Sequence, residues 1–296
     1  MTAGGRRRLA PALQATIGAH AAAPFAAALP HALPWVAGAL AANHAILALA
    51  GMIPRSTLLG PNMTRLPDAA ATRRQVALTF DDGPDPEVTP RVLDILDTAG
   101  ARASFFCIGR QAERHRTLVR EIVRRGHSVE NHSYTHPNSF ACRTPQGLRQ
   151  EVGRAQAALS DISGVAPAFF RAPMGLRSPL LDPVLASTVL HFTSWTRRAL
   201  DGVDGDPGRA LRRLTSGLAA GDILLMHDGR CARTRSQEAV VLHILPGLLR
   251  ALAEAGLEAV PMTVTAAGSP PPGTAGAASS VNATASRSPS AACASP

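Results

Sequence analysis

Lysine is absent from this chain of 296 residues: all 30 of its basic residues are arginine, set against 21 acidic ones for a net charge of +9. An all-arginine balance beside abundant alanine, glycine and proline reads as coding bias, so the charge alone does not indicate a nucleic-acid partner. No basic run is longer than Arg6–Arg8, and aromatics make up 4% of the chain, with one tyrosine and two tryptophans. Neither a phosphate-tracking stripe nor a base-stacking platform is present, which argues against nucleic-acid binding. Cysteine is also scarce. Cys107, Cys142, Cys231 and Cys293 form no CxxC pair, so neither a zinc knuckle nor a redox dithiol is indicated, and a disulfide framework is not expected in a chain this long. Cys107 lies in an apolar run and reads as a small core hydrophobe. Cys231 follows His227 by four positions.

A further absence is regional. Leu9 to Pro54 contains no Asp, Glu, Lys or Arg and is rich in Ala and Leu, so residues 1–56 are expected to be an apolar membrane-anchor segment. A helical span needs about 20 apolar residues, and Trp35–Ile53 supplies such a run. Pro11–Leu29 is a weaker second candidate, with PHALP at Pro30–Pro34 as the turn between them. A cleaved signal peptide is the competing reading, but it would leave the second apolar stretch attached. Arg6–Arg8 precede the apolar region, and Arg55, Arg65, Arg73 and Arg74 follow it. The positive-inside bias therefore draws both ends to the cytoplasm, which a two-span hairpin satisfies and a single span does not. The cytoplasmic face is accordingly favoured over the periplasmic one. Asn43 and His44 are costly in lipid, which leaves a helix lying on the membrane as an alternative. Residues 57–74 read as a linker. At the other end, 266–296 has the composition of a disordered tail; its Asn282-Ala283-Thr284 triplet fits the glycosylation pattern, which arises easily by chance.

Between these ends, residues 75–265 alternate apolar β-rich runs, at 75–80, 102–108, 127–131, 168–172, 191–195, 222–227 and 257–261, with helical stretches. Thr89-Pro90 and Thr144-Pro145 each read as a capping residue followed by proline in the first turn. Gly100 and Gly126 read as helix stops. Repeated strand-then-helix units require parallel strands with right-handed crossovers. The expected fold is an α/β layer or barrel of about seven units, with its chemistry at the carboxyl ends of the strands.

One of those ends is unusual. Val76–Pro84, VALTFDDGP, runs a strand into two adjacent carboxylates, Asp81 and Asp82. One aspartate before Gly-Pro suits an Asx-turn; the second calls for a cation nearby, because adjacent like charges repel. His132 and His136, four residues apart after the third run, can reach one ion from one face of a turn. An HxxxH pair alone is a weak signal, since surface histidines are common. Asp82 with His132 and His136 is a better set: one carboxylate and two imidazoles leave coordination positions open, as a catalytic zinc-like centre requires. Arg171 follows the fourth run, Trp195 and Asp201 the fifth, and His227 ends the sixth. Alone, Arg171, Asp201 and His227 read as a surface cation, a loop acid and a core histidine, but a barrel would gather these strand ends on one rim.

The ordered set TFDDGP, HSYTH, RAPMG, Trp195 with Asp201, and LLMHD resembles the polysaccharide deacetylases, the carbohydrate esterase family 4 with its NodB-homology domain, over about residues 75 to 265. The resemblance implies a distorted (β/α) barrel of about seven strands and metal-dependent hydrolysis of acetyl groups on sugars, with one divalent ion, often zinc. It further implies Asp81 as general base, Asp82, His132 and His136 as metal ligands, and His227 as general acid. Arg171 would hold Asp81, Asp201 would tune His227, Trp195 would line the acetyl pocket, and the backbone N–H of Met174 would stabilise the oxyanion. Met174 stands where the family has a tyrosine, and Gly202 where a tryptophan often follows the aspartate; both changes remove pocket walls. The expected substrate is an N-acetylated amino sugar in a glycan or, if the hairpin reading holds, a lipid- or nucleotide-linked saccharide. A catalytically silent carbohydrate-binding homologue and a two-metal phosphohydrolase are the rival readings.

Overall fold

The apolar runs become parallel strands, and burial on both faces explains why the first and sixth are nearly continuous in apolar residues. The computed structural model describes residues 9–262; Arg6–Arg8, Asn282, Cys293 and the whole 266–296 segment lie outside the described residues. The strands are β1 (Gln75–Asp81), β2 (Ser104–Cys107), β3 (Ser128–Asn131), β4 (Phe169–Phe170), β5 (His191–Phe192), β6 (Arg197–Arg198), β7 (Ile223–His227) and β8 (Glu258–Val260). Each of the seven expected runs coincides with one of them, β1 extending one residue further to Asp81. β6 is the addition, two arginines with no apolar alternation to announce them.

The sheet order is β5-β4-β3-β2-β1-β7-β6, with β8 pairing to the start of β1. All pairs are parallel, and β1 is central: Asp81 lies in register with Phe106 on β2 and with His227 on β7. The fold is thus an α/β half-barrel whose edge strands, β5 and β6, do not pair. Helices Thr89–Thr98, Arg116–Arg124 and Val240–Glu254 cover the outer face, packing Leu93, Leu96, Ile122, Ile244 and Leu248 against Leu78, Phe80 and Phe105. Phe80 and Phe105 stack at 5.0 Å between ring centres. Thr144 caps its helix as expected, accepting from the Gly147 N–H at 3.2 Å. Thr89 does not cap; its hydroxyl turns to a buried carboxylate described below.

The 57–74 segment, expected as a linker, is seated on the open seam. Met63 N–H donates to the Phe192 carbonyl at 3.0 Å, Ser194 N–H to Met63 at 3.0 Å, and Leu66 N–H to Gly221 at 2.9 Å. The Met63 bonds cover the free edge of β5, which would otherwise be open to pairing with another chain.

Ahead of this segment stand α1 (Pro11–Ala27) and α2 (Leu33–Met52). Among the described residues, α2 is the one helix long and apolar enough to cross a membrane: 20 residues, with mean hydropathy 1.5 over its best window and 11% of that window buried. Its two polar residues face α1. The Thr16 hydroxyl donates to Asn43 Oδ1 at 3.1 Å, and the rings of His20 and His44 meet edge-on at 5.0 Å, so their cost in an apolar setting is reduced. An interfacial helix needs a charged face, which α2 lacks. The last turn of α2 docks on the barrel, where Gly51 accepts the Arg177 N–H at 2.9 Å; a side chain at position 51 would run into the Arg177 carbonyl.

Candidate active site

β1 delivers Asp81 to the carboxyl edge of the sheet, where a fully buried arginine meets it. Arg171, one residue past β4, donates through Nη1 to Asp81 Oδ1 at 2.7 Å and to Thr79 Oγ1 at 2.9 Å, and through Nη2 to the Ser194 carbonyl at 3.0 Å. Its guanidinium lies 4.1 Å from the Phe106 ring centre. Burial lowers the Arg171 pKa, opposed by the charge and hydrogen bond of Asp81. One carboxylate oxygen of Asp81 is thereby fixed, and the other, Oδ2, lies 3.9 Å from His132 Nε2.

The chain then turns sharply. Asp82 adopts the left-handed backbone, φ 74°, as do Ser133 and His136 at 63° and 52°, a conformation that costs non-glycine residues of order 1–3 kcal/mol each and that clusters at functional sites. HSYTH is therefore a bend, not the helical turn the four-residue spacing suggests, but its two imidazoles still converge. Asp82 Oδ1 lies 3.3 Å from His132 Nε2 and 3.1 Å from His136 Nε2. Burial works against the charge of Asp82, but contact with His132 and the positive charge of His132, His136 and His227 outweigh it and hold the pKa down at about 2. Burial and then the nearby charge of His132 push His136 down to about 4, so it is neutral at pH 7. His132 Nδ1 donates to the Arg171 carbonyl at 2.9 Å, which fixes the ring so that Nε2 faces Asp82 and is the nitrogen that could ligate an ion.

This trio fits a divalent ion. Its three ligand atoms lie within 4.8 Å of one another, and Asp82 Oδ1 is buried without a well-formed hydrogen bond, the state of a carboxylate oxygen whose partner is a cation. Across from it, at the end of β7, His227 Nδ1 meets Asp201 Oδ1 at 2.8 Å while its backbone N–H donates to Asp201 Oδ2 at 2.9 Å. Nε2 is left free toward the cleft. Burial lowers the His227 pKa, but the Asp201 hydrogen bond and charge, helped by Asp81 and Asp82, overcome it and raise the value to about 9.

Comparison with known proteins points the same way. A family model for polysaccharide deacetylase matches residues 68–192. A peptidoglycan-N-acetylglucosamine deacetylase of Bacillus cereus is 41% identical over 103 residues, 35% of this chain and 37% of that protein. The family 4 carbohydrate esterase of Streptomyces lividans, solved in complex with acetate, superposes with a TM-score of 0.57 at 32% identity, covering 62% of this chain and 91% of that one. A chitooligosaccharide deacetylase of Bradyrhizobium sp. is 33% identical over 203 residues, 66% of this chain and 91% of that protein. The chain belongs to the polysaccharide deacetylase family. That membership makes it a hydrolase of the carbohydrate N-deacetylase type.

Several residues of this deacetylase site were not singled out by the sequence. Asp228 is fully buried, accepts the Thr89 hydroxyl through Oδ2 at 2.6 Å and abuts Gly83, whose missing side chain makes room for it. Burial pushes its pKa up to about 7, a rise opposed by the Thr89 bond and reinforced by Asp82 and Asp81. The sequence had placed Asp228 inside the LLMHD motif without a task; its structural task is to lock the Asp82–Gly83 turn. Glu151 clamps the histidine bend: Oε2 accepts the N–H groups of Tyr134 and Thr135 at 3.1 and 2.8 Å, and Oε1 the Thr135 hydroxyl at 2.7 Å. A signal existed for it, because Glu151 lies on the face of the Pro145–Ser163 helix that buries Leu148, Val152 and Ala155. Arg230, at the rim, donates through Nη1 to His136 Nδ1 at 2.9 Å. A guanidinium only donates, so Nδ1 accepts there, and an ion on Nε2 requires Arg230 to release it.

The remaining expected residues lie on the stretches that follow β4, β5 and β6. Met174 has φ 58° and a side chain 58% exposed. Trp195 is buried, packs over Gly175, and has its ring 5.9 Å from the Arg171 guanidinium. Gly202 faces the His227 ring, with ordinary contact distance left for a side chain. Cys231 donates through Sγ to the His227 carbonyl at 2.9 Å, and Cys107 is a core residue.

Proposed function

We propose that this protein removes the acetyl group from an N-acetylated amino sugar, with Asp82, His132 and His136 holding one divalent ion, zinc by the character of the donors, and Asp81 and His227 moving the protons. A carboxylate with two imidazoles suits zinc, and an ion there would polarise the acetyl carbonyl and make a water more acidic. Asp81 is the base. Its Oδ1 is tied to Arg171, so Oδ2 is the oxygen free to take the proton of the attacking water. His227 is the acid: Asp201 fixes Nδ1–H, and Nε2 delivers a proton to the departing amine. Trp195 lines the acetyl pocket, and the Met174 N–H stabilises the oxyanion. The observation carrying this reading is the division of labour between neighbours, Asp82 in the ligand trio and Asp81 held out of it by a buried arginine.

The substrate class is supported by relatives named for peptidoglycan and chitooligosaccharide deacetylation. The test is acetate release from a panel of N-acetylated chitooligosaccharides, peptidoglycan fragments and nucleotide- or lipid-linked amino sugars, with and without a chelator. Zinc-restored release from at least one supports the reading; none from any, in folded protein, would sink it. The silent-homologue rival requires the loss of a base, ligand or acid, and all five residues are here. The phosphohydrolase rival requires a second ion, and among the described residues one ligand cluster is found.

Asp201→Asn supplies the pH test. His227 must be protonated to act, so kcat/KM falls as pH rises through about 9. Without the Asp201 charge, burial prevails, and this alkaline limb moves down by about 1–3 pH units. A pH profile superimposable on wild type would remove Asp201 from the account.

The α1–α2 pair anchors the protein, with the barrel facing the cytoplasm, because Arg55, Arg65, Arg73 and Arg74 follow the span. A C-terminal fusion to a reporter active only in the periplasm is expected to be silent; strong activity contradicts this orientation.

A further inference from the structure

An open cavity of about 490 Å³ lies beside β6. Ile53, Pro54 and Arg55, just past α2, form one wall, and Trp195, Arg198 and Arg213 form the other. Cations outnumber carboxylates here. Asp222 is shared by Arg65 and Arg197 at 2.9 and 2.8 Å, and Asp204 by Arg209 and Arg213 at 3.0 and 2.8 Å. Arg55 makes one hydrogen bond, from Nη2 to the Thr196 carbonyl at 2.6 Å. Arg198 has its guanidinium 5.8 Å from the Trp195 ring. Neither has a carboxylate partner among the described residues.

Two guanidiniums without counter-charge beside an open cavity favour an anion that can accept in pairs, as a phosphate does. The position of the cavity selects the source. Met52 and Ile53 are 64% and 58% exposed, at the end of the one helix apolar enough to cross a membrane, so the cavity mouth stands at headgroup level if α2 spans. Arginine and tryptophan are the residues that favour that level. We propose that this cavity binds the phosphate of an anionic membrane lipid, with Arg55 and Arg198 as its clamp. The proposal rests on α2 being a membrane anchor, and it shares Trp195, but neither clamp arginine, with the proposed acetyl pocket.

The test uses the full chain in neutral detergent micelles carrying Trp35→Phe, which leaves Trp195 as the single tryptophan. Its fluorescence is followed during titration with dihexanoyl phosphatidic acid, dihexanoyl phosphatidylcholine and inorganic phosphate. Phosphatidic acid is expected to give a saturable change at least about tenfold tighter than the other two. Arg55→Gln with Arg198→Gln weakens it by about tenfold or more, while Arg55→Lys with Arg198→Lys, which keeps the charge, retains salt-sensitive binding. No response to phosphatidic acid, an equal response to phosphatidylcholine, equal affinity for inorganic phosphate, or unchanged affinity in the glutamine variant would each overturn the proposal.

Discussion

Asp82→Ala is expected to lower kcat/KM for acetate release by about a thousandfold or more and to empty the ion site, because the stabilisation an ion gives to developing negative charge is several kcal/mol. Asp82 is the one carboxylate of the trio. Without it two imidazoles remain, one of them already in contact with Arg230, a pair with no negative charge to hold a dication. The fold should survive, since Asp82 Oδ1 makes no well-formed hydrogen bond and alanine at φ 74° meets a backbone cost that aspartate already bears. Metal analysis after dialysis, circular dichroism and acetate release on the same sample check all three points. Activity within tenfold of wild type would mean that the ion is not catalytic.

Asp81→Asn is expected to separate the neighbours. Loss of a general base lowers kcat by about 10²–10⁴, while the ion content stays that of wild type. Asparagine keeps an oxygen to accept from Arg171, so the geometry is retained, but it cannot take a proton. The melting temperature falls as well, because Arg171 is fully buried and loses the charge that offsets its desolvation; rates are therefore compared per folded molecule. If Asp81→Asn loses the ion and Asp82→Ala keeps it, the two roles have been exchanged.

The contrast between these aspartates explains what could be read in advance. Strand runs were legible because burial on both faces writes long apolar stretches, and the position of Asp81 and Asp82 after the first run followed from the parallel topology. Their difference was not legible. It depends on Arg171, brought from 90 residues away to bond Asp81, and on the left-handed turn at Asp82 that swings the next side chain toward the histidines. Thr89 had the local chemistry of a helix cap, but the buried Asp228 recruits its hydroxyl, a tertiary demand that outweighs capping. β6 escaped notice because its residues, Arg197 and Arg198, carry their strand character only through pairing with Leu224 and Leu225. The 57–74 segment looked like a tether because nothing local reveals that β5 and β6 leave an open seam for it to cover.

Which of the two adjacent carboxylates holds the ion is read directly by anomalous diffraction from zinc-soaked crystals. One peak is expected at about 2.0–2.2 Å from an Asp82 oxygen and from Nε2 of both His132 and His136, with Asp81 still on Arg171 and outside the coordination shell. A peak bound by Asp81 in place of Asp82, or no peak among these three residues, would contradict the assignment of the ion to Asp82.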